Sequence, residues 1–448
     1  MILAAERYST KNNTNQIKYN MAELSNGMHV KLRNGGTCTV KKELGRGGQG
    51  IVYLVDYNGK DYALKWYIVQ YPDSFYENLE RNISKGSPTP SFLWPEALTE
   101  RQNGSFGYLM KVRPSGYEEI GSFMLTKAKF ASVDALLEAC LQICTGFQQL
   151  HLNGYSYQDM NDGNFFINPK TGDVLICDND NVAPNGINMG IVGKSGYMAP
   201  EIVDKVSMPN RYTDYFSLAV ILFILIYLNR PFEGAKALSC PCLSENAEKI
   251  LNGRNAVFIM DPIDRSNAPV RGVHSNVINR WNLFPRLLRE AFIKTFSKEA
   301  IQDPTKRVMD KTWQQILVQV RSEFVVCPFC GQKTFVVPGN QSVCIECGKT
   351  IPKVAFLKIG NNINIPLFPG QKIYKSHISL SDDLNTVSAE VIRNPKNPKL
   401  WGIRNLSGKQ WTVTTPDGQQ KLIDDNGAMP AMPGLKIRFS SEANGIIM

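Results

Sequence analysis

The stretch YQDMNDGN, residues 157–164, places the aspartate Asp159 five residues before the asparagine Asn164. Fourteen residues after Asn164 comes a second aspartate, Asp178, in the stretch CDND of residues 177–180. Phosphoryl transfer requires a base near the acceptor hydroxyl and oxygen ligands for a Mg²⁺ ion that bridges the phosphates. Asp159 suits the first role, and Asn164 and Asp178 suit the second. By itself, an Asp-rich loop of this kind is more often a solvated turn.

A glycine-rich stretch lies upstream of this loop. Residues 45–52 read GRGGQGIV, which follows the pattern G-x-G-x-x-G-x-V and contains Gly45, Gly47, Gly48, Gly50 and Val52. Strand-like sequence both precedes and follows the glycines, whereas a dinucleotide-binding fingerprint would run from a strand into a helix. The pattern therefore predicts a hairpin whose backbone amides close over phosphates, with an ordinary glycine-rich turn as the alternative. Lys65 ends the next strand-like segment, where it can pair with the α- and β-phosphates while Val52 and Ala63 lie over the base.

Three further motifs follow along the chain. Residues 198–201 read MAPE, residues 214–217 read DYFS ahead of an apolar run, and residues 303–307 read DPTKR. Taken in order over residues 38–322, all these motifs resemble those of the protein kinase superfamily, where A-P-E, D-x-W-S and D-P-x-x-R occupy the same places. The resemblance implies an α+β, bilobal kinase fold over residues 28–322, with strands first and helices after. It also implies a structural pair between Glu201 and Arg307.

The resemblance assigns roles to the residues already singled out. It implies ATP as the phosphate donor, with Mg²⁺ or Mn²⁺ as its metal. Asp159 would be the base, Asn164 and Asp178 the metal ligands, and Lys65 the clamp on the α- and β-phosphates.

Three more side chains complete the nucleotide site that the resemblance implies. Glu77, on a predicted helix, is expected to pair with Lys65, and Glu80 one turn away is the alternative. Met110 is expected to be the gatekeeper just before the hinge. Phe166, two residues past the metal-binding asparagine, is expected to form the floor of the adenine pocket.

Several positions depart from the family pattern close to the chemistry. The H-R-D motif is YQD at residues 157–159, so a phosphorylated activation loop has lost its usual arginine partner, and D-F-G is DND at residues 178–180. Asn161 replaces the lysine that usually follows the catalytic aspartate by two residues, and Lys194 replaces a threonine of the activation segment. We hypothesise that Lys194 supplies the cation that position 161 lacks, near the γ-phosphate. A solvated loop lysine is the alternative.

The function that these motifs imply is that of a bacterial-type Ser/Thr protein kinase, which phosphorylates a protein substrate or itself. Because H-R-D and D-F-G are altered, a pseudokinase scaffold that binds ATP without turnover is one alternative. A small-molecule phosphotransferase is another, since D-x-x-x-G-N also resembles aminoglycoside and choline kinases, which generally lack the A-P-E and D-x-x-S elements. The resemblance further implies a metal-dependent protein phosphatase as a partner.

Two C-x-x-C knuckles lie beyond the kinase-like region. Cys327 and Cys330 form the first, and Cys344 and Cys347 form the second, with thirteen residues between the two knuckles. Thiolates at this spacing suit a tetrahedral Zn²⁺ with Zn–S distances of ~2.3 Å, and four cysteine ligands leave no open position for catalysis. Residues 323–352 therefore predict a structural zinc ribbon. It lacks a dense Lys/Arg patch, so we expect protein docking or stabilisation rather than nucleic-acid binding.

Residues 353–448 show short alternating runs broken by turn residues, a pattern typical of an all-β module. They resemble a forkhead-associated domain at residues 365–370, 387–390 and 405–407. Phosphothreonine readers of that family use an Arg, a Ser and an Asn around the phosphate. Here the Arg is replaced around residues 374–375, and Glu390 or Val391 replaces a histidine. The departures favour a degenerate β-sandwich that binds an unmodified partner or the kinase lobe itself.

Composition limits the remaining possibilities. At 448 residues, with 43% hydrophobic and 20% charged residues, the chain is too long for one core and is neither collagen nor wholly disordered. The longest apolar run, residues 218–226, is shorter than the ~20 residues of a membrane span. The net charge of +10 is a mild excess that is not diagnostic of nucleic acid.

The cysteine content and the start of the chain bear on its compartment. Ten cysteines are too few for a disulfide scaffold, and the opening residues do not resemble a signal peptide, so we expect reduced thiols and a cytoplasmic location. Residues 1–27 are rich in Asn, Lys and Thr and are predicted to be disordered. Met21 is an alternative start of translation.

Overall fold

The computed structural model describes residues 23–448 except residues 103, 192, 241–243, 339–340, 345, 361–362, 380 and 382. Residues 1–22 of the segment 1–27, which was predicted to be disordered, lie outside the described residues. Residues 23–27 are described, and Leu24 among them is buried. The chain divides into two compact units. The first comprises the chain up to Ser87 together with Leu93–Arg113, and the second comprises Pro88–Phe92 and Pro114–Met448.

The first unit is built on a six-stranded antiparallel sheet of order β1-β2-β3-β4-β6-β5. Its elements are β1 (His29–Lys31), β2 (Thr37–Arg46), β3 (Gly50–Tyr57), β4 (Lys60–Tyr67), α1 (Asp73–Lys85), β5 (Ala97–Leu98) and β6 (Gly107–Lys111). Alternate residues of β3, namely Ile51, Tyr53 and Val55, are buried in one core because side chains alternate along a strand. Leu24 belongs to the same core, and its amide donates to the Tyr53 hydroxyl at 3.2 Å.

The second unit begins with a mainly helical part. Its elements are β7 (Glu118–Glu119), α2 (Ile120–Met124), α3 (Val133–Leu152), β8 (Tyr155–Tyr157), β9 (Phe165–Ile167), β10 (Val174–Ile176), β11 (Val182–Pro184), α4 (Pro200–Val203), α5 (Arg211–Tyr227), α6 (Ala235–Leu238), α7 (Glu245–Asn252), α8 (Ser275–Arg280), α9 (Arg286–Thr295), α10 (Lys298–Gln302) and α11 (Asp310–Glu323). Strand β9 pairs with β10 and β7, and β11 pairs with β8.

Helix α5 is the buried centre of this part. Every residue from Thr213 to Tyr227 is buried, as expected for a helix that is apolar on all sides. The helix begins with a capping box, in which the side chains of Asn210 and Thr213 each accept a hydrogen bond from the other residue's backbone amide. Within the described part of the chain, none of the helices has the length and apolarity required to cross a membrane.

A buried ion pair joins the end of the helical part to its middle. Arg307 donates from its two terminal nitrogens to the two carboxylate oxygens of Glu201, each at 2.7 Å. It also donates to the carbonyls of Tyr212 at 2.9 Å and Ala300 at 3.2 Å. Bidentate geometry and further acceptors are what a desolvated pair requires. The predicted pair between Glu201 and Arg307 is confirmed.

The rest of the second unit is mostly strand. A hairpin of β12 (Phe324–Val326) and β13 (Lys333–Phe335) continues directly from α11. The C-terminal sheets then follow, with orders β15-β14-β23-β22-β19-β20 and β16-β17-β18-β21. Their elements are β14 (Phe356–Ile359), β15 (Ile363–Pro366), β16 (Lys372–Tyr374), α12 (Lys375–Ile378), β17 (Val387–Arg393), β18 (Trp401–Asn405), β19 (Trp411–Thr414), β20 (Gln420–Ile423), β21 (Ala428–Pro430), β22 (Lys436–Arg438) and β23 (Asn444–Ile447). Both sheets contribute side chains to one hydrophobic core.

The last turn of α11 packs against the C-terminal sheets. The guanidinium carbon of Arg321 lies 3.9 Å from the centre of the Tyr374 ring, and the same guanidinium donates to the carbonyl of Leu384 at 2.6 Å. The hydroxyl of Ser322 lies 3.4 Å from Nε2 of His377, which is buried. Cation–π and hydrogen-bond contacts therefore join this helix to the C-terminal sheets.

We expect Arg307→Met to lower the free energy of unfolding by about 3–5 kcal/mol, because it leaves the Glu201 carboxylate buried without a cation. The measurement is urea denaturation. The matched control is Arg286→Met, which removes an exposed pair with Glu290 and should change the free energy by at most about 1 kcal/mol. Similar losses in the two variants would contradict the assignment.

We also expect an acid-sensitive contribution from His377. Burial, with Arg321 nearby, lowers the pKa of His377 to about 3, whereas an unfolded histidine binds its proton near pH ~6.5. The unfolded chain therefore binds the proton first as the pH falls. Stability is lost from about pH 6.5 down towards pH 3, by at most about 1.4 kcal/mol per pH unit.

Because the glutamine in His377→Gln cannot take up this proton, the variant lacks the contribution of His377 to the pH dependence of stability. Between about pH 7 and pH 5, urea denaturation should show a larger loss of stability in the parent chain than in the variant. Equal losses would show that His377 is not held neutral in the fold.

Candidate functional site

The glycine-rich stretch forms the turn between β2 and β3. Gly45, Gly47 and Gly48 are exposed there, and the amide of Gly47 donates to the carbonyl of Gly50 at 2.9 Å. A Cβ atom at the buried Gly50 would lie 2.5 Å from the carbonyl oxygen of Trp66 on β4. A side chain at position 50 would therefore push the two strands apart. The predicted hairpin is present, and its role as a phosphate cover stays a prediction.

Strand pairing brings four predicted nucleotide-site residues onto one face of the sheet. Val52 lies opposite Lys65, and Ala63 lies opposite Met110. Because directly opposed residues share a face, and residues two apart on a strand do so too, all four point to the same side. Lys65 is only 6% exposed, and its ammonium lies 5.8 Å from the centre of the Tyr67 ring.

Helix α1 does not bury either of its predicted glutamates. Its buried residues are Phe75, Tyr76, Asn78, Leu79 and Asn82. Glu77 is exposed, and Glu80 lies with one carboxylate oxygen 3.0 Å from the guanidinium of Arg33. A pair between Lys65 and either glutamate therefore stays a prediction.

In the second unit, the loop between β8 and β9 holds Asp159 beside Asn164. The side-chain amide of Asn164 donates to the carbonyl oxygen of Asp159 at 2.8 Å. The carboxylate of Asp159 accepts from the backbone amide of Lys194 at 3.1 Å. Burial raises the pKa of Asp159, and Asp178 adds to this, while Asn161 and Lys194 oppose it. A base with a raised pKa is better matched to proton transfer near neutral pH.

Asp178 lies two residues after the end of β10, the strand that pairs with β9. It has the left-handed backbone conformation, with φ of 51°, and precedes a 3-10 turn over Asn179–Asn181. Asn179 stands where the family has the D-F-G phenylalanine; it is buried and donates to the carbonyl of Ile176 at 2.9 Å. Phe166 is buried in β9, opposite Leu175 of β10.

Gln158, which replaces the H-R-D arginine, holds the activation segment through an uncharged side chain. Its amide nitrogen donates to the carbonyl of Ile187 at 2.6 Å, and its amide oxygen accepts from the backbone of Met189 at 3.2 Å. The preceding residue, Tyr157, donates its hydroxyl to the carbonyl of Cys177. The sequence contained no spacing signal for these contacts, because a lone glutamine is compatible with many environments.

Lys194 contacts the loop of Asp159 with its backbone amide and places its ammonium beside the carboxylate of Asp162. Its Nζ is 2.6 Å from Oδ1 of Asp162, and the guanidinium of Arg230 lies 4.0 Å from Oδ2 of the same residue. Burial would raise the pKa of Asp162, but Lys194 and Arg230 outweigh it and hold the pKa below its usual range. Asp162 and Arg230 were not predicted from the sequence.

Three buried side chains, Asp214, His151 and Asp310, form a hydrogen-bond network that holds the backbone just before Asp159. Asp214, at the start of α5, accepts from the backbone amide of Tyr157 at 2.7 Å and lies 3.0 Å from Nε2 of His151. Nδ1 of His151 lies 2.7 Å from a carboxylate oxygen of Asp310 on α11. Burial would lower the pKa of His151, but the two carboxylates outweigh it and raise the pKa to about 9. The imidazole is therefore charged at neutral pH and joins α3, α5 and α11.

The four predicted metal-binding cysteines form one cluster. The sulfur atoms of Cys327, Cys330, Cys344 and Cys347 all lie within 4.8 Å of one another. Two sulfur–sulfur distances are 3.8 Å and 3.7 Å. A tetrahedral site with ~2.3 Å metal–sulfur bonds has sulfur–sulfur edges of roughly 3.8 Å, so the cluster is compatible with zinc.

Comparison with known proteins identifies one family. Residues 38–308 match the family model described as the protein kinase domain. Protein kinase C delta type from Mus musculus is 26% identical over 226 residues, covering 47% of this chain and 33% of that protein. Protein kinase YegI from Escherichia coli (strain K12) is 25% identical over 232 residues, covering 48% of this chain and 36% of that protein. Serine/threonine-protein kinase nrc-2 from Neurospora crassa is 23% identical over 290 residues, covering 56% of this chain and 43% of that protein. The chain thus spans less than half the length of each of these relatives.

Proposed function

The chain belongs to the protein kinase family, and we propose that it transfers the γ-phosphate of ATP to serine or threonine hydroxyls of a protein substrate or of itself. The observation that carries the proposal is the hydrogen-bonded loop around Asp159. Its carboxylate is half-buried, has a raised pKa and accepts from the backbone amide of Lys194, while the Asn164 side chain donates to the carbonyl of Asp159. These are the properties of a preorganised base beside a metal-binding amide.

Asn164 and Asp178 would hold Mg²⁺ or Mn²⁺. Asn164 donates its amide N–H to Asp159, so its oxygen Oδ1 is the atom that can coordinate a cation. A carboxylate and an amide oxygen are the donors that Mg²⁺ prefers. The metal would neutralise charge on the phosphates. Lys65 would bind the α- and β-phosphates, and the Gly45–Gly50 hairpin would cover them.

Lys194 would supply positive charge near the transferred group. Its backbone is bonded to Asp159, and its ammonium lies on the next acidic residue of the same loop, Asp162. The side chain of Lys194 is 50% exposed, so it is free to change rotamer. A metal-dependent phosphatase partner and a cytoplasmic location stay predictions from the sequence.

We infer that residues 323–352 are a zinc ribbon, because the four sulfur atoms are spaced as a tetrahedral Zn²⁺ site requires. Cys327 and Cys344 are part of a small hydrophobic core, so the metal would stabilise rather than catalyse.

We infer that residues 353–448 are a degenerate forkhead-associated-like domain that binds its own kinase part. Asn405 is fully buried, and its amide nitrogen is bonded to the carbonyl of Lys409 at 2.7 Å, so its side chain serves the fold rather than a ligand. Tyr374, where the family has its phosphate-binding arginine, is covered by Arg321 of α11. These contacts support binding to the kinase part rather than to a phosphothreonine peptide.

We expect Asp159→Asn to lower kcat at least about 100-fold, because it removes the base. Asp178→Ala should abolish transfer because it removes a metal ligand, and Lys194→Ala should lower kcat about tenfold or more. The measurement is transfer from labelled ATP with Mg²⁺, and then Mn²⁺, to the chain itself and to generic protein acceptors. The matched control is Asp417→Asn in an exposed turn, which should transfer at the parent rate.

Near-normal transfer by Asp159→Asn would contradict the assigned base. If neither the parent chain nor any variant transfers phosphate, while ATP still raises the melting temperature of the parent chain, the pseudokinase alternative would be favoured.

We expect the purified chain to contain about one zinc ion, since the four cysteines complete a single tetrahedral site. Cys344→Ser should lose most of it, and Cys240→Ser, a cysteine outside the cluster, should keep it. Elemental analysis after gel filtration is the measurement. Equal zinc content in the two variants would show that the metal, if bound, lies elsewhere.

A further inference from the structure

Asp162 is contacted by two cations of different character. Lys194 binds Oδ1 at 2.6 Å with a side chain that is 50% exposed. Arg230 faces Oδ2 at 4.0 Å with a side chain that is 27% exposed. Asp162 itself is only 15% exposed, so it requires a nearby positive charge at all times. The exposed lysine can move, whereas the more buried arginine is held.

The surroundings of Arg230 explain why it stays in place. One terminal nitrogen binds Glu233 at 2.8 Å, which is a contact that Lys194 does not share. The Tyr197 ring does not distinguish the two cations, because the guanidinium and the Lys194 ammonium each lie 5.4 Å from its centre. The Nε of Arg230 is buried and has no hydrogen-bond partner within the described structure. A guanidinium has five N–H donors, so Arg230 can bind Asp162 without releasing Glu233.

The two cations are therefore alternatives for one carboxylate. If Lys194 left Asp162 with no substitute, a mostly buried anion would be unpaired, and the ammonium would be held back. With Arg230 held at 4.0 Å from Oδ2, its guanidinium continues to neutralise Asp162. The ammonium is then free for another anion beside Asp159.

We propose that Arg230 is a positioning residue that shares Asp162 with Lys194, so that the ammonium can leave this carboxylate for the transferring phosphoryl group. The inference rests on the proposed function and extends it. In the transfer, the bond from the γ-phosphorus to the ADP oxygen breaks, the bond to the acceptor oxygen forms, and the acceptor proton goes to Asp159. Lys194 keeps its proton throughout and acts only by charge.

The first test is a double-mutant cycle on kcat with Arg230→Gln and Lys194→Ala. Each single variant should lower kcat about tenfold, the KM for ATP should change less than about twofold, and the double variant should be no slower than the slower single variant. The control Arg286→Gln, an exposed arginine with a surface partner, should keep the parent kcat. A purely structural role of Arg230 would instead make the two losses multiply, and that result, or an unchanged kcat in Arg230→Gln, would overturn the proposal.

The second test does not depend on phosphate transfer. It is a double-mutant cycle on the free energy of unfolding, measured by urea denaturation, with Arg230→Gln and Asp162→Asn. Arg230→Gln should destabilise the parent chain more than it destabilises Asp162→Asn, because in the latter the guanidinium has no carboxylate to neutralise. Equal losses in the two backgrounds would overturn the sharing of Asp162. A coupling between the two residues in a chain whose parent transfers no phosphate would overturn the proposed function and the phosphoryl role of Lys194, and it would leave the sharing established.

Discussion

One buried carboxylate, that of Asp214, fixes the loop on which the candidate chemistry depends. It lies in the first turn of helix α5, which is buried from Thr213 to Tyr227, accepts from the backbone amide of Tyr157, and is neutralised by His151. His151 is shared with Asp310 on α11, so three helices meet at one charged hydrogen-bond network. A network of this kind is stable only when every member is satisfied. The position of Asp159, two residues after Tyr157, therefore depends on this buried network.

The residues that depart from the kinase motifs make defined contacts near Asp159. Gln158 binds the activation segment with a neutral amide, where an arginine would need a phosphate or another anion as its partner. Lys194 places its backbone amide against Asp159 and its ammonium against Asp162. The departures from the family pattern thus exchange one set of contacts for another rather than leaving Asp159 without neighbours. These contacts support the proposal of an active enzyme over that of a scaffold.

The order of motifs was sufficient to predict the family, the buried central helix and the pair between Glu201 and Arg307, because each depends on residue types at fixed positions. The cysteine cluster was predictable for the same reason. The exposed position of Glu77 could not be predicted from the motifs, since it depends on which face of α1 is buried. The contacts of Asp310 with His151, of Arg230 with Asp162, and of Arg321 with Tyr374 join residues that are distant in sequence. No local pattern marks such partners, because they are selected by the packing of helices and strands.

The central claim is that the loop around Asp159 is competent for chemistry. The most direct measurement is a single-turnover experiment, in which the chain is in excess over labelled ATP and Mg²⁺, and both bound nucleotide and protein-bound phosphate are followed in time. We expect bound ATP to be converted to ADP, with the phosphate on serine or threonine, and we expect Asp159→Asn to bind ATP without converting it. ATP that stays bound and unconverted by the parent chain, in the presence of protein acceptors and either metal, would contradict the claim.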